Sequence, residues 1–282
     1  MRFGVSTQLY HGQRLCRDHL DEIAAHGFDT VELIATRTHL DYHDPRALDD
    51  LARWLHDTGL RLHSIHAPIA ESMENGRWGS PLSNASPLAD VREHAVAEAR
   101  AALELARRVS VGVLVVHMGL PDGVPPAAGG HSRDAVRRSL QEIASAATPL
   151  GVQLALENIP NAMSTPDAIV AMIEDERDLS GVGACLDVGH AHLMGGVVDA
   201  IETLSGLLLT THVHDNRGQR DDHLPPGEGT VLWPSVMVAL QKVGYDGLLM
   251  MEVAAGRSST RTILAQTRAA CTRLEDEVRS WA

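Results

Sequence analysis

Seven stretches of the chain end or follow an apolar run with a side chain that can hold a metal ion, and together they supply nine nitrogen or oxygen donors. They are His66 in LHSIHAP, His117 in VLVVHMG, Glu157 in QLALENI, Asp187 and His190 in ACLDVGH, His212 in LLLTTHVHDN, Asp221 and His223 in RDDHLPPGEG, and Glu252 in LLMMEV. Repetition carries the signal. One histidine after one strand means little, but nine donors recurring at strand ends point to a single site assembled from across the chain. Glu157, Asp187, His212 and Glu252 alone form an oxygen-rich set suited to one Mn, Mg, Co or Zn ion. Such an ion, with open positions, can chelate two adjacent oxygens of an α-hydroxy carbonyl compound and acidify the neighbouring C–H. A carboxylate such as Glu157 or Glu252 removes that proton and the other returns one, the enediolate chemistry of aldose–ketose isomerisation, epimerisation or dehydration.

The remaining donors allow a second reading. His66 and His117 can join Glu157 around a further ion, and His190 with Asp221 and His223 makes a third cluster. Asp221 and His223 point to the same side if their segment is extended. Two or three close ions suit in-line attack on a phosphodiester. Without those ions, His66, His117 and His190 are substrate-binding candidates. Arg217 in HDNRG is a candidate for a substrate phosphate or carboxylate, and His11, Arg77 and Trp78 are candidates for the pocket wall. Glu32 either contacts substrate or supports a ligand. His63, His192 and His214 are read as non-ligands, the last two orienting neighbours. The glycines of PPGEG lie in no phosphate-loop motif and fit a turn.

These residues need elements that bring them together. Strands are expected at Arg2–Ser6, Thr30–Ile34, Arg61–Ile65, Gly112–His117, Val152–Glu157, Gly181–Asp187, Leu207–His214 and Gly247–Val253. Helices are expected near Cys16–His26, Arg46–Thr58, Leu88–Arg108, Ser132–Thr148, after Thr165-Pro166, near Val197–Ser205, Pro234–Val243 and from Ser258. Several strands are continuous apolar runs, the pattern of parallel strands covered on both faces. Eight such units predict one (β/α)8 barrel over residues 1–282, with the metal site at the C-terminal ends of its strands. An open doubly wound sheet would spread the same donors over tens of ångströms.

Composition narrows the class. The 282 residues are 44% apolar and carry a formal charge of −13. A nucleic-acid binder usually shows a basic face, and no Lys/Arg cluster is present, so nucleic acid is disfavoured as a partner. No apolar run approaches the length of a membrane span. Cys16, Cys185 and Cys271 form no C-x-x-C pair, which fits a reducing compartment, and the N-terminus lacks a signal-peptide core. A cytoplasmic enzyme acting on a small carbohydrate or sugar phosphate is expected, with a homo-oligomer left open.

CLDVGHAH at 185–192 and THVHDNRGQRDDHLPPGEGTVLW at 211–233 resemble the xylose-isomerase-like TIM-barrel superfamily. That group contains sugar and sugar-phosphate isomerases and epimerases, inosose-processing enzymes, dehydroshikimate dehydratases and the endonuclease IV family. The resemblance implies a single-metal site at Glu157, Asp187, His212 and Glu252 on its isomerase branch. On its endonuclease IV branch it implies three zinc ions held by all nine residues. The wording HVHDN, the acidic balance and the 3% aromatic content favour the isomerase and epimerase branch. The lysine of true xylose isomerases has no counterpart in a matching motif.

Overall fold

The computed structural model describes residues 1–74, 76–124, 130–175 and 181–279. Eight strands form its centre: β1 (Arg2–Ser6), β2 (Thr30–Ile34), β3 (Arg61–His66), β4 (Val113–His117), β5 (Gln153–Glu157), β6 (Val182–Asp187), β7 (Leu208–Val213) and β8 (Leu248–Met251). Each pairs in parallel with its sequence neighbours, and β1 pairs with β8, so the sheet closes into a barrel. The helices between them are α1 (Arg17–Ala25), α2 (Pro45–Thr58), α3 (Ala89–Ala102), α4 (Arg133–Ala147), α5 (Pro166–Asp175), α6 (Val188–Leu193), α7 (Val197–Thr203), α8 (Trp233–Lys242) and α9 (Thr260–Arg279). This is a (β/α)8 barrel.

Strand composition explains the two cores. Alternate residues of a strand face opposite ways. One set, including Leu114, Val116, Leu154, Leu156 and Leu186, packs into the large shell shared with the helices. The other set faces inward, where Val113, Val115, Ala155 and Cys185 form a small apolar plug. One step of two residues above Val115, Ala155 and Cys185 stand His117, Glu157 and Asp187. The barrel interior therefore turns from apolar to polar toward the C-terminal ends of the strands.

Local signals set the helix limits. Asp44 caps α2 by accepting from the Arg46 amide, Pro45 opens the helix, and Gly59 closes it in the left-handed region at φ 72°. Three features differ from the sequence expectation. The helix expected over Leu88–Arg108 is α-helical to Ala102 and then tightens into a 3-10 segment, Leu103–Arg107. The loop after β3 carries a short antiparallel hairpin, Met73–Glu74 with Arg77–Trp78. Helix α6 was not expected. At 6 residues it is too short to show a period, and its start depends on the Asp187 carboxylate capping the His190 amide at 2.6 Å.

Candidate metal centre and active site

Register brings the donors side by side. His117 lies opposite Glu157 across β4 and β5, and Asp187 lies opposite His212 across β6 and β7. Glu252 follows β8 directly. All nine donors predicted from the sequence gather at this end of the barrel, and most are almost wholly buried.

His212 is the pivot. Its Nε2 lies 3.0 Å from Glu32 Oε2, which also accepts the Ser64 hydroxyl at 2.7 Å. The Nε2–H therefore donates to Glu32, and Nδ1 faces the site, where loss of its proton frees a lone pair for an ion. That Nδ1 is buried without a hydrogen-bond partner. Around it stand Glu157 Oε1 at 3.4 Å, Glu252 Oε2 at 3.6 Å and Asp187 Oδ2 at 3.9 Å. Two atoms that each bind one ion at roughly 2.1 Å can lie no more than about 4.2 Å apart. One nitrogen and three carboxylate oxygens at these separations fit a divalent ion.

Two further clusters adjoin it. Glu157 Oε2 lies 3.2 Å from His66 Nε2 and 3.1 Å from His117 Nε2. Asp221 Oδ2 lies 3.1 Å from His190 Nε2 and 3.0 Å from His223 Nε2. The Nδ1–H groups of His66, His190 and His223 donate to the backbone carbonyls of Ala67, Asn158 and Glu252. Each Nε2 is thereby turned toward its cluster. His223 sits at φ 47°, a left-handed conformation disfavoured for a side-chain-bearing residue.

The charge balance follows from this crowding. Burial alone would raise the Glu157 carboxyl, but His117, His212 and His190 outweigh it and hold it well below the usual range. Burial would lower His212 and His190, yet Cys185 together with Glu252, Glu32 and Glu157 holds His212, and Asp187 with Asp221 and Glu157 holds His190, well above the ordinary value. His223 is likewise raised to about 10, burial being overcome chiefly by Asp221. Glu252 goes the other way: burial raises it. In the metal-free protein, protons sit where a cation would.

Several residues fall outside the sequence reading or refine it. His214 is buried, with Nε2 3.1 Å from Asp187 Oδ2 and 3.7 Å from Asp221 Oδ1. It therefore contacts two carboxylates of the site. Gly189 makes room for it, since a Cβ there would fall 2.0 Å from the His214 ring. His192 bonds Thr230, and His63 bonds Thr210 below the site. Arg217 is exposed and reaches only the Glu228 carbonyl. HDN and PPGEG form a latch. The buried Asp215 carboxylate accepts from the amides of Asn216, Gly227 and Val231 and from Trp233 Nε1 at 2.8–3.1 Å. This holds the loop that presents Asp221 and His223.

A cavity of about 460 Å³ opens above the donors. Glu157, Glu252, His66, His117, His190, Asp221 and His223 line its floor. Ile34, Ile69, Trp78 and Leu120 line its walls with Gln8, and neither Arg77 nor Arg217 reaches it. No Lys or Arg is among the described residues that line it. His11 sits behind Trp78, ring to ring at 4.7 Å. Trp78 was expected in the wall, but Gln8, Ile34, Ile69 and Leu120 carried no sequence signal, because they meet only in space.

Residues 20–275 match the sequence profile of the xylose isomerase-like TIM barrel. The chain belongs to that family. An uncharacterised protein of Methanocaldococcus jannaschii is 30% identical over 262 residues, covering 89% of this chain and 83% of its own. The D-psicose 3-epimerase of Ruminiclostridium cellulolyticum is 24% identical over 242 residues, 83% of this chain and 76% of its own. The crystal structure of a D-tagatose 3-epimerase-like protein superposes with a TM-score of 0.81 at 27% identity, covering 99% of both chains. Family members similar to this chain thus include sugar epimerases. No described helix is long and apolar enough to cross a membrane.

Proposed function

We propose that this protein is a divalent-metal-dependent epimerase or isomerase of an uncharged ketose or related polyol ketone. One observation carries the reading: the unpartnered Nδ1 of His212 inside a ring of three carboxylate oxygens. Glu157, Asp187, His212 and Glu252 would hold the ion, which supplies Lewis-acid polarisation of the substrate carbonyl. The chain's own residues do the rest. Glu157 is committed on both oxygens, Oε1 beside His212 and His190, Oε2 beside His66 and His117. Glu252 stands beside His212 and His223 through Oε2, with His66 close by, and makes no side-chain hydrogen bond among the described residues. Glu252 is accordingly the first proton-moving group, and Glu157 the second. His66, His117 and His190 line the same floor and can bind substrate hydroxyls. The absence of Lys and Arg from the described lining argues for a free sugar over a sugar phosphate.

The two adjoining clusters favour a second reading, an endonuclease IV-like phosphodiesterase with up to three ions. The acidic chain and the apolar cavity wall weigh against it. Elemental analysis of protein purified without chelator separates the two. About one ion per chain, together with C3 epimerisation of D-psicose, D-tagatose or another free ketose, supports the first. About three zinc ions, with cleavage of an abasic duplex and no ketose turnover, would replace it with the second.

A further inference from the structure

A second cavity lies at the opposite pole. It measures about 530 Å³ and opens where the strands begin, among Arg2 of β1, Thr30 of β2, Arg61 and His63 of β3, and Leu248 of β8. Arg108, just past the 3-10 segment, and His56 of α2 complete its rim. Leu55, Leu60, Leu62 and Val109 supply an apolar wall.

The charge pattern runs against the rest of the chain. The protein carries 37 acidic against 24 Lys and Arg residues. Yet three arginines and two histidines line this cavity, and no Asp or Glu is among the described residues that do. The metal-site cavity has the reverse character, with carboxylates and no arginine. The guanidiniums are also incompletely used. The Arg2 side chain has no hydrogen-bond or ion-pair partner among the described residues. Arg61 reaches Asp29 and Thr30 through Nη2 alone. Arg108 uses Nε on Asp49 and Nη1 on the Glu104 carbonyl. A guanidinium has five N–H donors, so each retains donors for a ligand. Arg61 opens the strand that His66 closes, which sets the two cavities roughly 16 Å apart along β3.

We propose that this cavity is a second binding site, taking a small organic phosphate whose dianionic group sits among Arg2, Arg61 and Arg108 and whose apolar body rests on Leu55, Leu60 and Val109. Arginine matches a phosphate because its planar fork can donate two parallel hydrogen bonds. The site is independent of the reaction assigned to the metal centre and stands if that reaction is reassigned.

Calorimetric titration of the protein as purified with phenyl phosphate, at low and at moderate salt, tests it. Saturable binding that weakens as salt rises is expected. Arg2→Ala, at an exposed and unpartnered position, should weaken it about tenfold, the loss of one charge-assisted hydrogen bond. Arg61→Ala should do the same. Glu157→Gln, at the metal centre, and Arg46→Ala, a 92% exposed arginine elsewhere, should leave it unchanged. Absence of saturable binding overturns the proposal. So does binding that survives both cavity variants, that falls equally in Arg46→Ala, or that is lost in Glu157→Gln, which would place the phosphate on the metal centre.

Discussion

At the scale of residues, the contact between His212 and Glu32 determines what the centre can hold. Glu32 is fully buried, and of its two oxygens only Oε2 has partners. Its burial would favour the neutral acid, but His212 beside it keeps it ionised. A carboxylate behind a metal-binding imidazole fixes the tautomer and typically changes metal affinity about 10–100-fold. Glu32→Gln should lower the affinity for the added divalent ion by about that factor, measured by competition with a coloured chelator. An unchanged affinity would mean that His212 needs no such support. Glu252→Gln tests the next step. It should lower ketose epimerisation by at least about 100-fold, the usual contribution of a positioned proton-transfer group. Full activity in that variant removes Glu252 from the proton path. His212 was legible as a donor because a histidine at a strand end recurs in the pattern. Its dependence on Glu32, 180 positions away, was not, since nothing local in TVELI distinguishes a supporting carboxylate from a substrate contact.

At the scale of elements, the segments following β1 and β2 are packed through two neutral imidazoles. His11 is lowered to about 3, mainly by burial, with His39 and His66 adding repulsion. His39 is lowered to about 4, again mainly by burial, and donates from Nδ1 to the Gln13 carbonyl at 2.7 Å. Both groups have an ordinary value near 6.5 in the unfolded chain. Between about 6.5 and 3 the unfolded state binds more protons than the folded state, so stability rises with pH across that window and falls on acidification. Denaturant unfolding at pH 7 and pH 5 should show this loss, and His39→Gln should lose less between the two pH values than the parent protein. An equal loss in both would show that these imidazoles do not drive the acid sensitivity. The strands themselves were readable, because continuous apolar runs and turn residues bound them. The short helix α6 and the hairpin at Met73–Trp78 were not, as neither is long enough to carry a period, and each is stabilised by contacts made elsewhere in the fold.

At the scale of the whole molecule, the raised imidazoles tie the proposed ion to pH. His212 and His190 are held well above their ordinary values, and His223 at about 10. Ligating nitrogens must be deprotonated, so uptake of the proposed ion at neutral pH releases the proton of His212, and metal affinity rises with pH. Calorimetry in two buffers of different ionisation enthalpy should show at least about one proton released per ion bound at neutral pH. Uptake with no proton release would exclude the imidazoles as ligands. Because the proposed ion would bind only the folded barrel, through donors from four strand ends, saturating metal should also raise the unfolding temperature, and chelator should lower it.

Apolar strand runs followed by donors, spaced in eight βα units, were enough to determine the barrel and the end at which those donors gather. The physical reason is that a parallel barrel carries its loops and polar strand ends on one rim. The tertiary structure alone decided how the donors are shared. It turned one nitrogen of His212 to Glu32 and the other to three carboxylates. It set Glu157 between two clusters, put His214 against Asp187, and made Asp215 the latch of the PPGEG loop. It also left Arg217 outside the cavity and gathered Arg2, Arg61 and Arg108 at the far pole. Those choices depend on distances between residues far apart in the chain, and no local spacing encodes them.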